Sequence, residues 1–174
     1  TYDLPPSRDV RDDDGSAEAR TFLSDTRARV RKTIRVSDQD AVRCTHVRFF
    51  ATTCGSATDA FSLVVSLNGQ EIGSLPGSRL NEPGWFEVPI PDGLLKPENE
   101  VIFQATGKPS GHPDWVAFRL DTSASTGRTW WSHDDGQTWT REDLSLDSGI
   151  QQGEAMVRLG PDRKSTRLNS SHRT

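Results

Sequence analysis

The sequence predicts an all-β protein, an antiparallel β-sandwich with a jelly-roll-like arrangement. Between residues 33 and 161, short runs rich in β-branched and aromatic residues alternate with turn clusters, a texture typical of sandwiches and jelly rolls. In several runs every second residue is apolar, as expected of strands that bury one face. Asn68-Gly69 is a hairpin signal, because both central positions of a type I′ turn need positive φ.

Strands are expected over the runs between these turns. They are Lys32–Val36, Val42–Thr52, Phe61–Leu67, Glu71–Leu75, Trp85–Ile90, Val101–Thr106, Trp115–Asp121, Arg128–Ser132, Thr138–Arg141 and Ala155–Leu159. The inward faces are expected to carry the alternating apolar residues. These are Phe61, Leu63, Val65, Leu67, Phe86, Val88, Ile90, Val116, Phe118, Leu120, Ala155, Val157 and Leu159.

The remaining segments are expected to lie outside the sandwich of residues 33–161. Residues 1–32 contain Pro5-Pro6 and the run Asp12–Gly15, which are loop signals, and are predicted to be a linker or the end of a preceding domain. Residues 162–174 are predicted to be a disordered tail. Their sequence from Asp162 to His172 resembles a translated sequencing-adaptor peptide, and the alternative is a genuine basic, Ser-rich tail.

Charge and hydropathy exclude several classes of partner. Residues 33–161 carry ten basic and seventeen acidic side chains, a net charge of −7. An acidic domain argues against nucleic acid and against anionic membrane surfaces as partners.

Cys44 and Cys54 are ten positions apart, so a disulfide between them would need a turn, and the sequence leaves that bond open.

One stretch resembles the galactose-binding-like jelly-roll domains attached to many glycoside hydrolases and polysaccharide lyases. Its parts are the Asn-Gly hairpin of residues 65–73, the strand at 85–90 and the segment Gly93–Phe103, "GLLKPENEVIF". The resemblance covers roughly residues 33–122, with Pro97-Glu98 in place of the usual glycine-containing turn. It implies the fold more strongly than it implies a ligand.

A second stretch, Ser132–Trp139, has the sequence SHDDGQTW. It resembles the Asp box, S-x-D-x-G-x-T-W, of sialidases and related β-propellers. The resemblance implies a structural hairpin at residues 128–141 with no catalytic role, and the chain is too short for a six-bladed propeller. The residues that match the box are Ser132, Asp134, Gly136, Thr138 and Trp139.

Familiar catalytic and metal-binding patterns are not found in the sequence. It has no G-x-S-x-G, H-E-x-x-H or phosphate-binding glycine loop, and His46, His112 and His133 lack metal-ligand spacing. No catalytic residue, metal or cofactor is therefore predicted, although a structural calcium ion is left open. A glycosidase pair such as Glu87 and Asp121 stays as an alternative.

Tryptophan supplies the candidate ligand site. All five tryptophans lie between residues 85 and 139. If the alternating apolar residues point inward, Trp85 points out, and so do Trp115, Arg119 and Asp121; an exposed indole can stack on a sugar ring while polar neighbours bind its hydroxyls. The alternative is that these tryptophans cover the sandwich edges. Trp130 and Trp131 are adjacent, so they must face opposite sides.

The function predicted from these patterns is a non-catalytic carbohydrate-binding or accessory module of an exported polysaccharide-degrading enzyme. Its partners would be a polysaccharide and an adjacent catalytic domain, and its location extracellular or periplasmic. One alternative is a structural sandwich without a ligand, which a large apolar patch would favour. Another is a fragment of a glycan-active hydrolase or sialidase-like enzyme, which a cleft with two carboxylates about 5–9 Å apart would favour.

Overall fold

The computed structural model describes residues 9–13, 15, 17, 19–23, 25–107, 116–123, 126–141 and 153–162. Two antiparallel sheets form a sandwich, which confirms the predicted all-β fold. The strands are β1 (Ala19–Leu23), β2 (Arg29–Arg35), β3 (His46–Thr52), β4 (Phe61–Leu67), β5 (Gln70–Pro76), β6 (Gly84–Pro89), β7 (Glu98–Gly107), β8 (Val116–Asp121), β9 (Thr129–Ser132), β10 (Glu154–Ala155) and β11 (Val157–Gly160). A short helix, α1 (Asp38–Ala41), and a 3₁₀ turn (Gly77–Leu80) connect strands.

The two sheets differ in regularity. The five-stranded sheet has the order β5-β4-β7-β2-β9. In the six-stranded sheet the order is β1-β8-β3-β11, with β10 paired to β8 and β6 paired to β3. The β10–β11 stretch therefore changes neighbours, pairing first with β8 and then with β3. No helix among the described residues is long and apolar enough to span a bilayer.

The core lies between the facing sheets and follows the predicted alternation. All four inward residues of β4 are at most 1% exposed, and β8 and β11 bury the apolar residues expected of them. Phe103 of the five-stranded sheet has its ring centroid 4.9 Å from those of Phe49 and Phe118, which belong to the opposite sheet. Aromatic rings at this separation interlock the two layers.

The Asn68-Gly69 turn has the predicted backbone conformation, with φ of 51° and 85°. The Asn68 side chain also accepts a hydrogen bond from the Glu100 amide and donates to the Leu94 carbonyl. Asn99, which is fully buried, accepts from the Lys96 amide and so closes the turn of the "LKPEN" segment. The side chains of Asn68 and Asn99 thus stabilise, by hydrogen bonds to the backbone, a turn that lacks the usual glycine.

The prediction that residues 1–32 form a linker is wrong for much of that segment. β1 pairs along its whole length with β8, and β2 lies between β7 and β9. Val10 also forms a bridge with Leu159 at the edge of β11. β1 shows no apolar alternation, because one of its two fully buried residues is Thr21, which is polar.

Three expected strands are markedly shorter or interrupted in the structure. The strand expected from Val42 begins only at His46, because the chain leaves α1 through a turn; the first turn of α1 is capped by the Ser37 hydroxyl accepting from the Asp40 amide. The expected strand at Thr138–Arg141 is reduced to a bridge between Trp131 and Thr140. The last expected strand is interrupted at Met156, where the chain changes its pairing partner.

The cysteines occupy different environments. Cys44 is buried and Cys54 is exposed, and no disulfide links the two. Burial raises the pKa of the Cys44 thiol to about 11. At neutral pH this thiol stays protonated and behaves as a small apolar side chain.

Candidate functional site

A pocket with a volume of about 430 Å³ opens on the outer face of the six-stranded sheet, a size within the range of small-molecule sites. Its lining residues come from four strands, the β10–β11 junction and the N-terminal segment. They are Arg11, Gly15, Ala17, Phe50, Trp85, Arg119, Met156 and Arg158.

Strand pairing brings the two aromatic residues of the pocket together. Val47, Phe49 and Ala51 of β3 face the core, so Phe50 points to the outer face. Phe50 is the direct cross-strand partner of Trp85 on β6, and their rings meet edge to face with centroids 5.8 Å apart. Both side chains are only partly buried, which leaves apolar surface for a ligand.

The change of pairing partner at Met156 positions Arg119 at the side of the pocket. The Met156 amide donates to the Arg119 carbonyl of β8, and its own carbonyl accepts from the Phe50 amide of β3. Met156 therefore connects two strands that would otherwise separate at this point. As a result, Arg119 and Phe50 are neighbours, with the guanidinium carbon 5.7 Å from the ring centroid.

The N-terminal segment forms the remaining wall and is held by buried ion pairs. Asp13 accepts hydrogen bonds from two nitrogens of the Arg158 guanidinium and from the Gly15 amide. Arg158 is 8% exposed and Asp13 is 6% exposed, so this pair is largely removed from water. On β3, directly opposite Arg158, Arg48 is bound by Asp9 and Glu87 and by the carbonyl of Pro161. These contacts hold Asp9, Asp13 and Gly15 against the sheet.

Each aromatic residue of the pocket already has an arginine over it. The Arg158 guanidinium lies 4.3 Å from the Trp85 ring centroid, and Arg119 lies over Phe50. Cation–π attraction at these distances holds the guanidinium groups next to the aromatic rings. The site can therefore offer apolar ring surface and N–H donors side by side.

The structure brings two of the four predicted ligand residues into this pocket, Trp85 and Arg119. Asp121 is fully buried and its carboxylate accepts hydrogen bonds from the Ser123 amide and hydroxyl, so the expectation that it faces solvent beside Arg119 is wrong. Trp115 lies outside the described residues.

Sequence reasoning missed the other lining residues for two reasons. Phe50 lies in a run of β3 that also carries Phe49, and periodicity could have assigned them to opposite faces once the strand was placed. Arg11 and Arg158 carried no signal, because their position depends on a segment that was predicted to be a linker. The contact between Asp13 and Arg158 spans 145 positions of sequence.

The pocket differs from two arrangements considered in the sequence. The planes of Phe50 and Trp85 are 86° apart, so these two rings form a corner and are not coplanar. None of the described lining residues is a carboxylate. Glu87 and Asp121, considered as a glycosidase pair, are each engaged, Glu87 with Arg48 and Asp121 with Ser123.

The Ser132–Trp139 hairpin lies on the other sheet and is closed by its own side chains. The Ser132 hydroxyl accepts from the Gly136 amide, and Asp134 accepts from the amide and hydroxyl of Thr138. Gly136 has a φ of 80°, a conformation that residues with a Cβ rarely adopt. The Thr138 and Ser132 hydrogen bonds lower the pKa of Asp134 to about 2.

Tryptophans of this hairpin pack on both sides of an arginine. The Arg31 guanidinium lies 4.3 Å from the Trp139 ring centroid and 4.8 Å from that of Trp130. Arg141 lies over Trp130 at 5.2 Å. Trp131, by contrast, is 1% exposed in the core, so the prediction that Trp130 and Trp131 face opposite sides is confirmed. The stack ties the hairpin to β2.

We expect Asp134→Ala to lower the melting temperature at pH 7 without changing ligand binding, because it removes the acceptor for Thr138. The pKa of Asp134 is lower in the folded state than its ordinary value of 3.8, so its contribution is present above pH 3.8 and is lost as the pH falls toward 2. Thermal denaturation of the wild type and Asp134→Ala should show that the difference between their melting temperatures shrinks as the pH falls from 7 toward 2. Equal melting temperatures at pH 7, or lost glycan binding with intact stability, would contradict the structural role.

One cluster of side chains could hold a metal ion by its geometry. Ligand atoms of His46, Glu87 and Asp162 lie within 4.8 Å of one another. Glu87 already accepts from Arg48, and His46 Nδ1 lies 2.9 Å from the Thr45 hydroxyl. Asp162 is the first residue of the segment that resembles a translated adaptor peptide. His46 and Glu87 approach each other because β3 pairs with β6, which sequence spacing does not show.

Comparison with known proteins adds little beyond the fold. No family model matches the chain, and no curated protein matches it. Among solved structures, it is similar to a CBM51 domain from Clostridium perfringens GH95, determined in complex with methyl-galactose. The sequences are 16% identical and the TM-score is 0.30. The match covers 51% of this chain and spans 60% of the length of that one.

Proposed function

We propose that this protein is a carbohydrate-binding module and that its ligand binds in the pocket formed by Phe50, Trp85 and Arg119. The observation that carries the proposal is the combination of two partly exposed aromatic rings with guanidinium donors in one open pocket. Sugars present apolar C–H faces and rings of hydroxyls, and such a pocket can satisfy both.

The chemistry of the pocket supports binding rather than glycoside hydrolysis. Hydrolysis by the usual two-carboxylate mechanism needs an acid and a second carboxylate about 5–9 Å apart, and the described lining residues supply neither. Arginine N–H groups donate in a fixed fork that suits neighbouring oxygens on a ring. The protein is therefore proposed as an accessory module of an exported polysaccharide-degrading enzyme, with catalysis assigned to another domain.

A purely structural sandwich has less support. Such a spacer would present apolar surface to the domain that it packs against. Among the described residues, Val42 is the large hydrophobic side chain that is strongly exposed, at 84%, and it lies next to α1, away from other apolar surface of that kind. The described part of the chain thus offers a polar-rimmed pocket and no broad apolar patch.

Affinity electrophoresis against plant, algal and microbial polysaccharides tests the proposal. Binding per site is expected to be weak, about millimolar to micromolar, because association entropy and desolvation offset most of the contact energy. Trp85→Ala is expected to weaken retardation by about tenfold or more, since it removes apolar contact area and the support of Arg158. Trp115→Ala tests the ligand role that the sequence predicts for that residue.

Trp130→Ala is the matched control, because Trp130 is also partly buried and also stacked with arginine, but on the opposite sheet. It should retain binding. Phe50→Leu provides a second pocket variant that keeps an apolar side chain if Trp85→Ala does not fold. Absence of binding to every glycan, or binding unaffected by both pocket variants, would rule out this site and favour the structural spacer.

A further inference from the structure

The charge of the pocket is opposite to that of the protein. The whole chain has a net charge of −4, yet the described lining residues include three arginines and no carboxylate. Asp13 neutralises Arg158 and lies 3.9 Å from Arg11, so one carboxylate serves two guanidinium groups. Arg119 has no ion-pair partner among the described residues. The lining residues that the structure describes thus carry an excess of positive charge on an acidic protein.

One further arginine, Arg20, lies next to Arg119 on the neighbouring strand β1. In the β1–β8 ladder, Arg20 is directly opposite Arg119. Thr21 and Leu23 of β1 face the core, so Arg20 points to the same outer face as Arg119 and is exposed. Neither has an ion-pair partner in the described part of the chain. Like charges at directly opposite positions of an antiparallel pair are destabilising, so this placement is a cost to the fold.

The geometry would become favourable if an anion lay between these groups. Arginine binds carboxylate and sulfate oxygens through two parallel N–H donors, and such charge-assisted hydrogen bonds are roughly twice as strong as neutral ones. A neutral sugar would use the same donors but would leave the Arg20–Arg119 repulsion uncompensated. The aromatic corner of Phe50 and Trp85 lies beside Arg119, within the span of a single sugar residue.

Resting on the proposed function, we infer that the glycan bound here is acidic, with a carboxylate or sulfate group received by Arg119 and Arg20 and the sugar ring placed against Phe50 and Trp85. Arg11 lies on the opposite wall and adds to the positive field. Because the ligand group is charged, the affinity for the glycan is expected to fall as ionic strength rises. Salt should weaken the contribution of Arg20 most, because Arg20 is exposed to solvent. This replaces a purely hydroxyl-directed mode of recognition, in which salt would have little effect.

Matched pairs of polymers test this inference with the full chain. One pair is polygalacturonate and its carboxyl-reduced neutral form, and the other is a sulfated galactan and its desulfated form. We expect the acidic member of at least one pair to bind about tenfold or more tightly than its neutral counterpart. The pair that shows the difference identifies carboxylate or sulfate as the group recognised. Raising the salt concentration to about 0.5 M should reduce the preference.

Arg119→Gln and Arg20→Gln are expected to remove most of the preference for the acidic polymer while leaving binding of the neutral one dependent on Trp85. Arg79→Gln is the control, because it removes one exposed positive charge from the 3₁₀ turn, outside the pocket. Arg20 is exposed, so its variant should fold even if Arg119→Gln does not.

The outcomes separate this inference from the proposed function. Equal binding within both pairs would overturn the inference and leave carbohydrate binding intact, whereas no binding to any glycan would overturn the proposed function itself. If Arg119→Gln and Arg20→Gln both retained the preference for the acidic polymer, the anion would bind elsewhere. A preference reduced equally by Arg79→Gln would show general charge attraction, which also contradicts the proposed site.

Discussion

Replacing Lys32 by methionine is expected to lower the free energy of unfolding by about 3–5 kcal/mol, the usual cost of removing one partner of a buried ion pair. Lys32 Nζ lies 2.6 Å from Glu154 Oε2, and both side chains are completely buried between the sheets. The Glu154 carboxylate would then stay in the interior with hydrogen bonds from the Arg128 amide and the Thr129 hydroxyl, and its nearest cation would be Arg141, whose Nη2 lies 3.7 Å from Glu154 Oε1. Denaturant unfolding at pH 7 measures the change.

The double variant Lys32→Met with Glu154→Gln should recover most of that loss. Glutamine can still accept from the Arg128 amide, and it removes the buried charge of Glu154 together with that of Lys32. Asp12, whose Oδ2 lies 3.4 Å from Lys32 Nζ, keeps Arg128 at 4.0 Å. A double-mutant cycle is therefore expected to show strong coupling between the two positions. If the two single changes were simply additive, the ion pair would not be the interaction that matters, and the prediction would be wrong.

The effect of Lys32→Met should also depend on pH. Burial raises the pKa of Glu154, but the charge and hydrogen bond of Lys32, together with the hydrogen bonds from the Arg128 amide and the Thr129 hydroxyl, hold the pKa below its ordinary value of 4.5. A carboxyl whose pKa is lowered by folding stabilises the protein above that value and loses its contribution as the pH falls below it. The deficit of Lys32→Met relative to wild type is therefore expected to be complete at pH 7 and to shrink in acid.

Trp131→Ala is expected to be about as damaging, at about 3–5 kcal/mol, because it empties the space of the largest fully buried side chain. The Trp131 Nε1–H also donates to the Thr21 hydroxyl at 2.7 Å. Trp131 is on β9 and Thr21 is on β1, so this hydrogen bond joins the edge strands of the two sheets. Its loss adds an unpaired buried hydroxyl to the cavity.

Two companion variants separate the contributions at this position. Trp131→Phe keeps most of the apolar volume but removes the donor to Thr21, so it should cost less, about 1–3 kcal/mol. Trp130→Ala changes the adjacent residue, which lies on the outer face against Arg31, and should cost less than Trp131→Ala. Equal losses for Trp130→Ala and Trp131→Ala in denaturant unfolding would contradict the assignment of the two faces.

Local patterns in the sequence were sufficient for much of the fold. The alternation of Phe61 to Leu67 predicted β4 with its observed bounds, and Asn68-Gly69 predicted a turn with two positive φ values. Both signals depend on residues that are neighbours in the chain. The opposite orientation of Trp130 and Trp131 followed from the same two-residue period. Strand β1 was missed because an inward threonine that is satisfied by a distant tryptophan looks polar in the sequence.

The amino-acid sequence by itself therefore determined the all-β class, most strands of the sandwich and the core-facing side of the strands with clear apolar alternation. Only the tertiary structure decided the candidate site. Arg11, Phe50, Trp85, Arg119 and Arg158 come from separate segments, and they meet because Met156 changes strand partners and Asp13 binds Arg158. The outward position of Trp85 and Arg119 could be read from alternation, but the burial of Asp121 could not. Periodicity gives the direction of a side chain from its strand, whereas exposure depends on what other segments place above it.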